Sequence, residues 1–114
     1  MRTNGLGYHL QAHVSVPMRD GVRLATTVFV PEGQGPFPTI LVRTAYNRIG
    51  MAGSGPFFAR RGYAFVSQDC RGRYCSEGDY YPFVNEGNDG EDTLGWIAGQ
   101  PWSDGRVGMF GPSY

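Results

Sequence analysis

The residues best suited to covalent chemistry stand at the end of the 114-residue chain, in the stretch GRVGMFGPSY. A short apolar run, Arg106 to Phe110, leads into Gly111-Pro112-Ser113-Tyr114. A serine just after a strand, with glycine two positions before it, matches the opening of the G-x-S-x-G nucleophile elbow. The spacing has a steric reason. The serine occupies a sharp, strained strand-to-helix turn, and a neighbour two residues away must lack a side chain for the turn to close. Such a turn lifts the Ser113 hydroxyl above a sheet and aims the next amide, that of Tyr114, at a developing oxyanion. The second glycine of the pattern would stand past Tyr114. Gly-x-Ser is also a common turn sequence, so its weight depends on the elements around it. Pro112 has no amide hydrogen, but the residue before the nucleophile need not donate one.

Other chemistry-bearing groups have plainer readings. His9 and His13 (HLQAH) are spaced i, i+4, which would pair them only on a helix. HVSVP reads as strand, the glutamate of HExxH is absent, and a third ligand is missing, so they are expected to be ordinary surface histidines. Asp69, Arg71 and Glu77 bracket a loop after a buried strand. They either line the site or form a charge-paired network that shapes the loop; the network is the simpler role. Asp89, Glu91 and Asp92 read as the acidic start of a helix, set against the positive end of its dipole. Trp96 and Trp102 read as packing residues. Cys70 and Cys75 have neither CxxC nor zinc spacing and are expected to be free thiols.

Positioning these groups requires a sheet. His13–Pro17 and Val22–Val30 read as strands of an antiparallel hairpin turning at Arg19-Asp20-Gly21. Pro31–Pro38 is a loop by its Gly and Pro content. Thr39–Thr44 (TILVRT) and Tyr63–Gln68 (YAFVSQ) are short, nearly continuous apolar runs, as buried strands of a parallel sheet are. A long Gly-bearing loop spans Ala45–Pro56, and Pro56–Arg61 reads as the end of a helix with Gly62 as its C-terminal cap. Glu86–Gln100 is the second expected helix, and Pro101 ends it. Its glycines, Gly90, Gly95 and Gly99, weaken it but would let one side lie close to a sheet. Ser103-Asp104-Gly105 then turns into the last strand. Hairpin, strand, helix, strand, helix, strand is the pattern of a mostly parallel α/β sheet with right-handed crossovers. Chemistry in such sheets sits at the carboxyl ends of the strands. The loops after Thr44 and Asp69, together with Gly111–Tyr114, arrive there.

With that order in place, the chain resembles the cocaine esterase and Xaa-Pro dipeptidyl-peptidase group of α/β-hydrolases, from about Val14 to Tyr114. The resemblance is carried by VPMRDGVRLAT, FPTILVRTAY, FARRGYAFVSQDCRG, SEGDYYPFVNEGNDGEDTLGWIAGQPWSDGRVGMFG and the closing PSY, in the family's order. It implies a serine hydrolase that cleaves an ester or amide through an acyl-enzyme. Ser113 is implied as the nucleophile. Tyr46, in RTAY, is implied to donate its phenolic hydroxyl to the oxyanion beside the Tyr114 amide. Without the resemblance Tyr46 would read as a half-buried aromatic at a loop edge. The implied fold is the amino-terminal part of an α/β-hydrolase. Residues 1–12 are expected to be a poorly ordered segment, and 13–114 the first part of a catalytic domain.

Composition narrows the classes further. Formal net charge is zero, so no electrostatic footprint suggests nucleic acid or an anionic membrane as partner. All the basic residues are arginine, which excludes a P-loop lysine, a Schiff-base lysine or a Ser-Lys dyad within these residues. The expected partner is a small-molecule ester or an amide or peptide substrate, with no cofactor and no metal. The first ten residues lack the apolar core of a signal peptide, so a cytoplasmic location is expected. In this fold order the triad runs Ser, then Asp or Glu, then His. The base and its orienting acid are therefore expected beyond Tyr114, and the 114-residue chain is expected to be an inactive, poorly soluble piece. The competing reading is a non-catalytic α/β module that binds a partner through its open sheet edge.

Overall fold

The computed structural model describes residues 7–79 and 86–109. Five strands appear among them: β1 (Tyr8–Pro17), β2 (Arg23–Pro31), β3 (Phe37–Thr44), β4 (Ala64–Asp69) and β5 (Ser103–Met109). The helices are α1 (Arg48–Met51), α2 (Gly55–Ala59) and α3 (Glu86–Ala98), with a 3₁₀ turn, Ala52–Ser54, between the first two. The strands form one sheet in the order β1-β2-β4-β3-β5. β1–β2 and β2–β4 are antiparallel, whereas β3 runs parallel to both β4 and β5. The hairpin followed by a parallel sheet is therefore present, and its order places β4 and β3 inside.

Interior placement explains the continuous apolar runs. Successive residues of a strand point to opposite faces, so a strand covered on both faces has no polar alternation. On one face Val28, Val30, Leu41 and Val66 pack against Ile97 of α3 and Trp102. On the other, Phe29, Val42 and Phe65 meet Ala59 and Phe58 of α2. All six residues of β4 are buried. Trp96 and Trp102 do pack, edge to face, with ring centroids 6.2 Å apart. The chain leaves α2 through a Schellman pattern. The Tyr63 N–H donates to the Phe58 carbonyl at 3.1 Å and the Gly62 N–H to that of Ala59 at 3.2 Å, with Gly62 at φ +90°.

Several features differ from the sequence reading, each for a physical reason. β1 begins at Tyr8, not His13, so Tyr8–Ala12 belong to the sheet. They pair with β2 from Pro31 back to Val28 before a register shift between Gln11 and Val14. β5 takes in Ser103–Gly105, which was read as a turn. The turn survives as a bulge opposite Phe37–Thr39, with Gly105 at φ +88° and the Asp104 carboxylate accepting from the Arg106 amide. The stretch after Thr44 is not all loop, since it contains α1 and the 3₁₀ turn. The glycines of α3 do not serve close packing either: a Cβ at Gly87, Gly90 or Gly95 would meet nothing among the described residues. Among those residues no helix is long and apolar enough to cross a membrane.

Candidate active site at the carboxyl edge of the sheet

Because β3 and β4 are parallel and in register, Thr44 lies opposite Asp69, and the two strands end together. β5 runs the same way and reaches Met109 opposite Leu41 at the end of the described residues. Ser113 and Tyr114 lie outside the described residues. Of the residues expected at the site, Tyr46 is the one the structure places. It follows β3 by two positions, at the carboxyl edge, and is 59% exposed.

The segment around Tyr46 is anchored by polar contacts to its neighbours. The Tyr46 amide donates to the Thr44 hydroxyl at 2.9 Å, and the Ala45 carbonyl accepts from Arg73 Nε at 2.9 Å. Asn47, at φ +86°, turns the chain into α1 while its side-chain oxygen accepts from the Ile49 amide at 3.0 Å, as a helix cap does. Arg48 and Asp69 then form a buried ion pair. The Arg48 amide donates to Asp69 Oδ1 at 2.6 Å and its Nη1 to Oδ2 at 2.8 Å, with the side chains 5% and 0% exposed. Arg48 Nε donates to the Thr27 hydroxyl at 3.1 Å, and Nη2 lies 3.2 Å from His13 Nδ1. The Ser67 hydroxyl donates to the Arg48 carbonyl at 2.8 Å, and the Cys70 amide closes the strand ends by donating to the Thr44 carbonyl at 2.9 Å.

The charge-paired network expected of Asp69, Arg71 and Glu77 exists, but as separate pairs. Asp69 belongs to Arg48. Arg71 grips Asp89 with two bonds, at 2.9 and 2.8 Å, and reaches the hairpin turn at Asp20 at 2.8 Å. These two carboxylates, Asp89 first, hold the Arg71 guanidinium above its ordinary pKa, and Arg71 in turn pulls Asp20 below the usual carboxylate range. Glu77 takes the Arg23 side chain at 2.7 Å and its amide at 3.0 Å, and Arg23 lowers its pKa. Ser76 ties the same loop to the sheet, donating to the Asp69 carbonyl at 2.7 Å and accepting from the Ala25 amide at 2.8 Å. The acidic start of α3 also does more than oppose the dipole, because Asp89 holds Arg71 and Asp92 holds Arg19 at 2.9 Å. Arg19 keeps Asp92 low.

Three anchoring residues, Arg48, Arg73 and Thr44, were not singled out by sequence. One signal could have found Arg48: an aspartate closing a largely apolar strand needs a buried cation nearby. The Arg73 and Thr44 side chains act on backbone atoms of Ala45 and Tyr46, which leave no side-chain pattern to read. His9 and His13 both lie on β1, so no helical face pairs them. Among the described residues no group of three or more His, Cys, Asp or Glu could hold a metal. Cys70 is a buried free thiol and Cys75 an exposed one. A groove of about 570 Å³ runs between Met18–Arg19 and Asp92–Trp96, against α3 and not at Tyr46. It is open, and its charged groups, Arg19, Glu91 and Asp92, are already paired with one another, so the strand ends are the better candidate site.

Comparison with known proteins decides the family. The pattern of the X-Pro dipeptidyl-peptidase (S15) family matches residues 20–114. The chain belongs to that family. It is 47% identical over 113 residues to the cocaine esterase of Rhodococcus sp. (strain MB1 Bresler), an alignment covering 94% of this chain and 20% of the esterase. Among solved structures it superposes on an α-amino acid ester hydrolase with a TM-score of 0.77 at 32% identity, covering 96% of this chain and 22% of that one. A CocE/NonD family hydrolase from Staphylococcus aureus gives a TM-score of 0.78 at 25% identity, over 90% and 22% of the two chains. The sheet is thus the α/β-hydrolase sheet expected from the sequence. The chain spans about a fifth of the length of each of these proteins.

Proposed function

We propose that this chain carries the nucleophile and oxyanion hole of a serine hydrolase that cleaves an ester or amide bond through an acyl-serine intermediate. Family membership supports the class. The single observation that carries the mechanism is the position of Tyr46, exposed and with an anchored backbone, directly after β3. In α/β-hydrolases the loop after this strand supplies half of the oxyanion hole. Ser113 attacks the substrate carbonyl, and the carbonyl oxygen becomes an oxyanion. The Tyr46 hydroxyl and the Tyr114 amide donate to it. The tetrahedral intermediate collapses, the leaving group departs with a proton, and water repeats the sequence to free Ser113. The histidine that moves these protons and the carboxylate that orients it come from residues outside these 114. Neither His9 nor His13 fits the order Ser, acid, His along the chain.

No cofactor enters this chemistry. The substrate class is a small-molecule ester or an amide or peptide; dipeptidyl-peptidase activity is one form of the latter. A cytoplasmic location remains our proposal from the sequence. The test is hydrolysis of a 4-nitrophenyl ester by the full-length protein and by the 114-residue piece. Full-length turnover should fall by about 10⁶ in Ser113→Ala, and the piece should be inert. Robust turnover by the piece, or a full-length Ser113→Ala as fast as the parent, would overturn the proposal.

A further inference from the structure

We propose that Arg73 is a positioning residue that aims the Tyr46 hydroxyl; this rests on Tyr46 being the oxyanion donor. Tyr46 stands 59% exposed on a backbone that is held in place. One peptide unit joins Ala45 to Tyr46, and side chains hold both of its polar atoms. The carbonyl oxygen accepts from Arg73 Nε at 2.9 Å and the N–H donates to the Thr44 hydroxyl at 2.9 Å. Rotating that peptide plane turns the direction in which Tyr46 leaves the chain, and it would break both bonds. Two residues on, the Arg48 amide is fixed by Asp69 at 2.6 Å. An exposed phenol is thereby aimed through its main chain.

Arg73 is itself well placed to do this. It sits in a turn after β4, where its amide donates to the Cys70 carbonyl at 3.0 Å and its carbonyl accepts from the Ser76 amide at 2.9 Å. Its guanidinium also faces the Tyr74 ring, 5.2 Å from the centroid, and Tyr74 adopts φ +51°, a backbone uncommon for a non-glycine residue. The fork thus ties the loop after β4 to the loop after β3 that carries Tyr46. A lysine has one point charge on a flexible stem and would hold the carbonyl less firmly. A displacement on the order of 1 Å in an oxyanion donor can slow a reaction about 10²-fold.

The experiment is a double-mutant cycle in the full-length protein, with 4-nitrophenyl acetate as substrate and circular dichroism as the check on folding. Arg73→Ala should lower kcat by roughly 10- to 100-fold while KM moves by less than about threefold. Tyr46→Phe should also lower kcat. The double variant should be no slower than Tyr46→Phe, because an unaimed ring without its hydroxyl has nothing left to lose. A merely structural role would slow both backgrounds alike, and that outcome, or an unchanged kcat in Arg73→Ala, overturns the proposal. An unchanged kcat in Tyr46→Phe instead overturns the oxyanion role itself, and the inference with it. Should Arg73→Ala fail to fold, Thr44→Val, which removes the other anchor at nearly constant shape, passes through the same cycle with the same deciding outcomes.

Discussion

Asp69 ends a strand in which every residue is buried, and its own side chain has no exposure. A carboxylate is stable there because Arg48 meets it through both its amide and its guanidinium. Removing one partner of a buried pair strands the other charge, so Asp69→Ala should lower stability by about 3–5 kcal/mol in chemical denaturation. Asp20→Ala, which cuts a bond to Arg71 at a half-exposed turn, should leave the denaturation midpoint nearly unmoved, because Arg71 retains Asp89. Equal losses in the two variants would refute this ranking. Tyr46 belongs at the same scale: losing one oxyanion donor should reduce kcat by about 10²- to 10³-fold in Tyr46→Phe, read from steady-state ester hydrolysis. Sequence pointed to Tyr46 and Ser113 through a motif and a long resemblance. It pointed to Asp69 but paired it with the wrong neighbours. Ion pairs between residues 21 positions apart depend on strand register, which no local pattern encodes.

Elements were legible in proportion to how fully they are buried. β3 and β4 announced themselves as apolar runs because both faces are covered. Of β1 only His13–Pro17 was legible, since it is an edge strand with four consecutive exposed residues, Leu10–His13, around its register shift. Neither period-two alternation nor an apolar run marks such a segment. Two glycines separate packing from propensity. At Gly55, which opens α2, an added Cβ would fall within contact distance of the Phe29 ring, so Gly55→Ala should destabilise by about 1–3 kcal/mol. At Gly95 of α3 an added Cβ meets nothing among the described residues, and Gly95→Ala should stabilise by up to about 1 kcal/mol. Denaturation midpoints shifted in the same direction by both substitutions would contradict the packing assigned to α2 and α3.

At the scale of the molecule, charge pairs stitch the hairpin turn, the loop after β4 and α3 together. Asp20, Glu77, Asp92 and Asp104 all titrate below their ordinary values, chiefly through hydrogen bonds to Arg71, Arg23, Arg19 and Arg106. A carboxyl with a depressed folded pKa binds fewer protons folded than unfolded. Its contribution is present above the unfolded value of about 4 and is lost as pH falls through the lower folded value. Stability should therefore drop on acidification below about pH 4, less steeply in high salt because Asp20 and Glu77 are exposed and Asp92 and Asp104 partly so. Unchanged denaturation midpoints between pH 5 and pH 3, or a rise, would contradict this, as checked by urea titrations at each pH. Among the described residues β5 is an outer strand of the sheet, with Met109 56% exposed, so the 114-residue chain should self-associate in size-exclusion chromatography. The covalent step offers the most direct test of all. The full-length protein, treated with a fluorophosphonate and digested, should carry the phosphonyl adduct on the peptide containing Ser113, and Ser113→Ala should carry none. Ester turnover that persists with Ser113 unmodified, or an adduct on another residue instead, would contradict a serine nucleophile at this position.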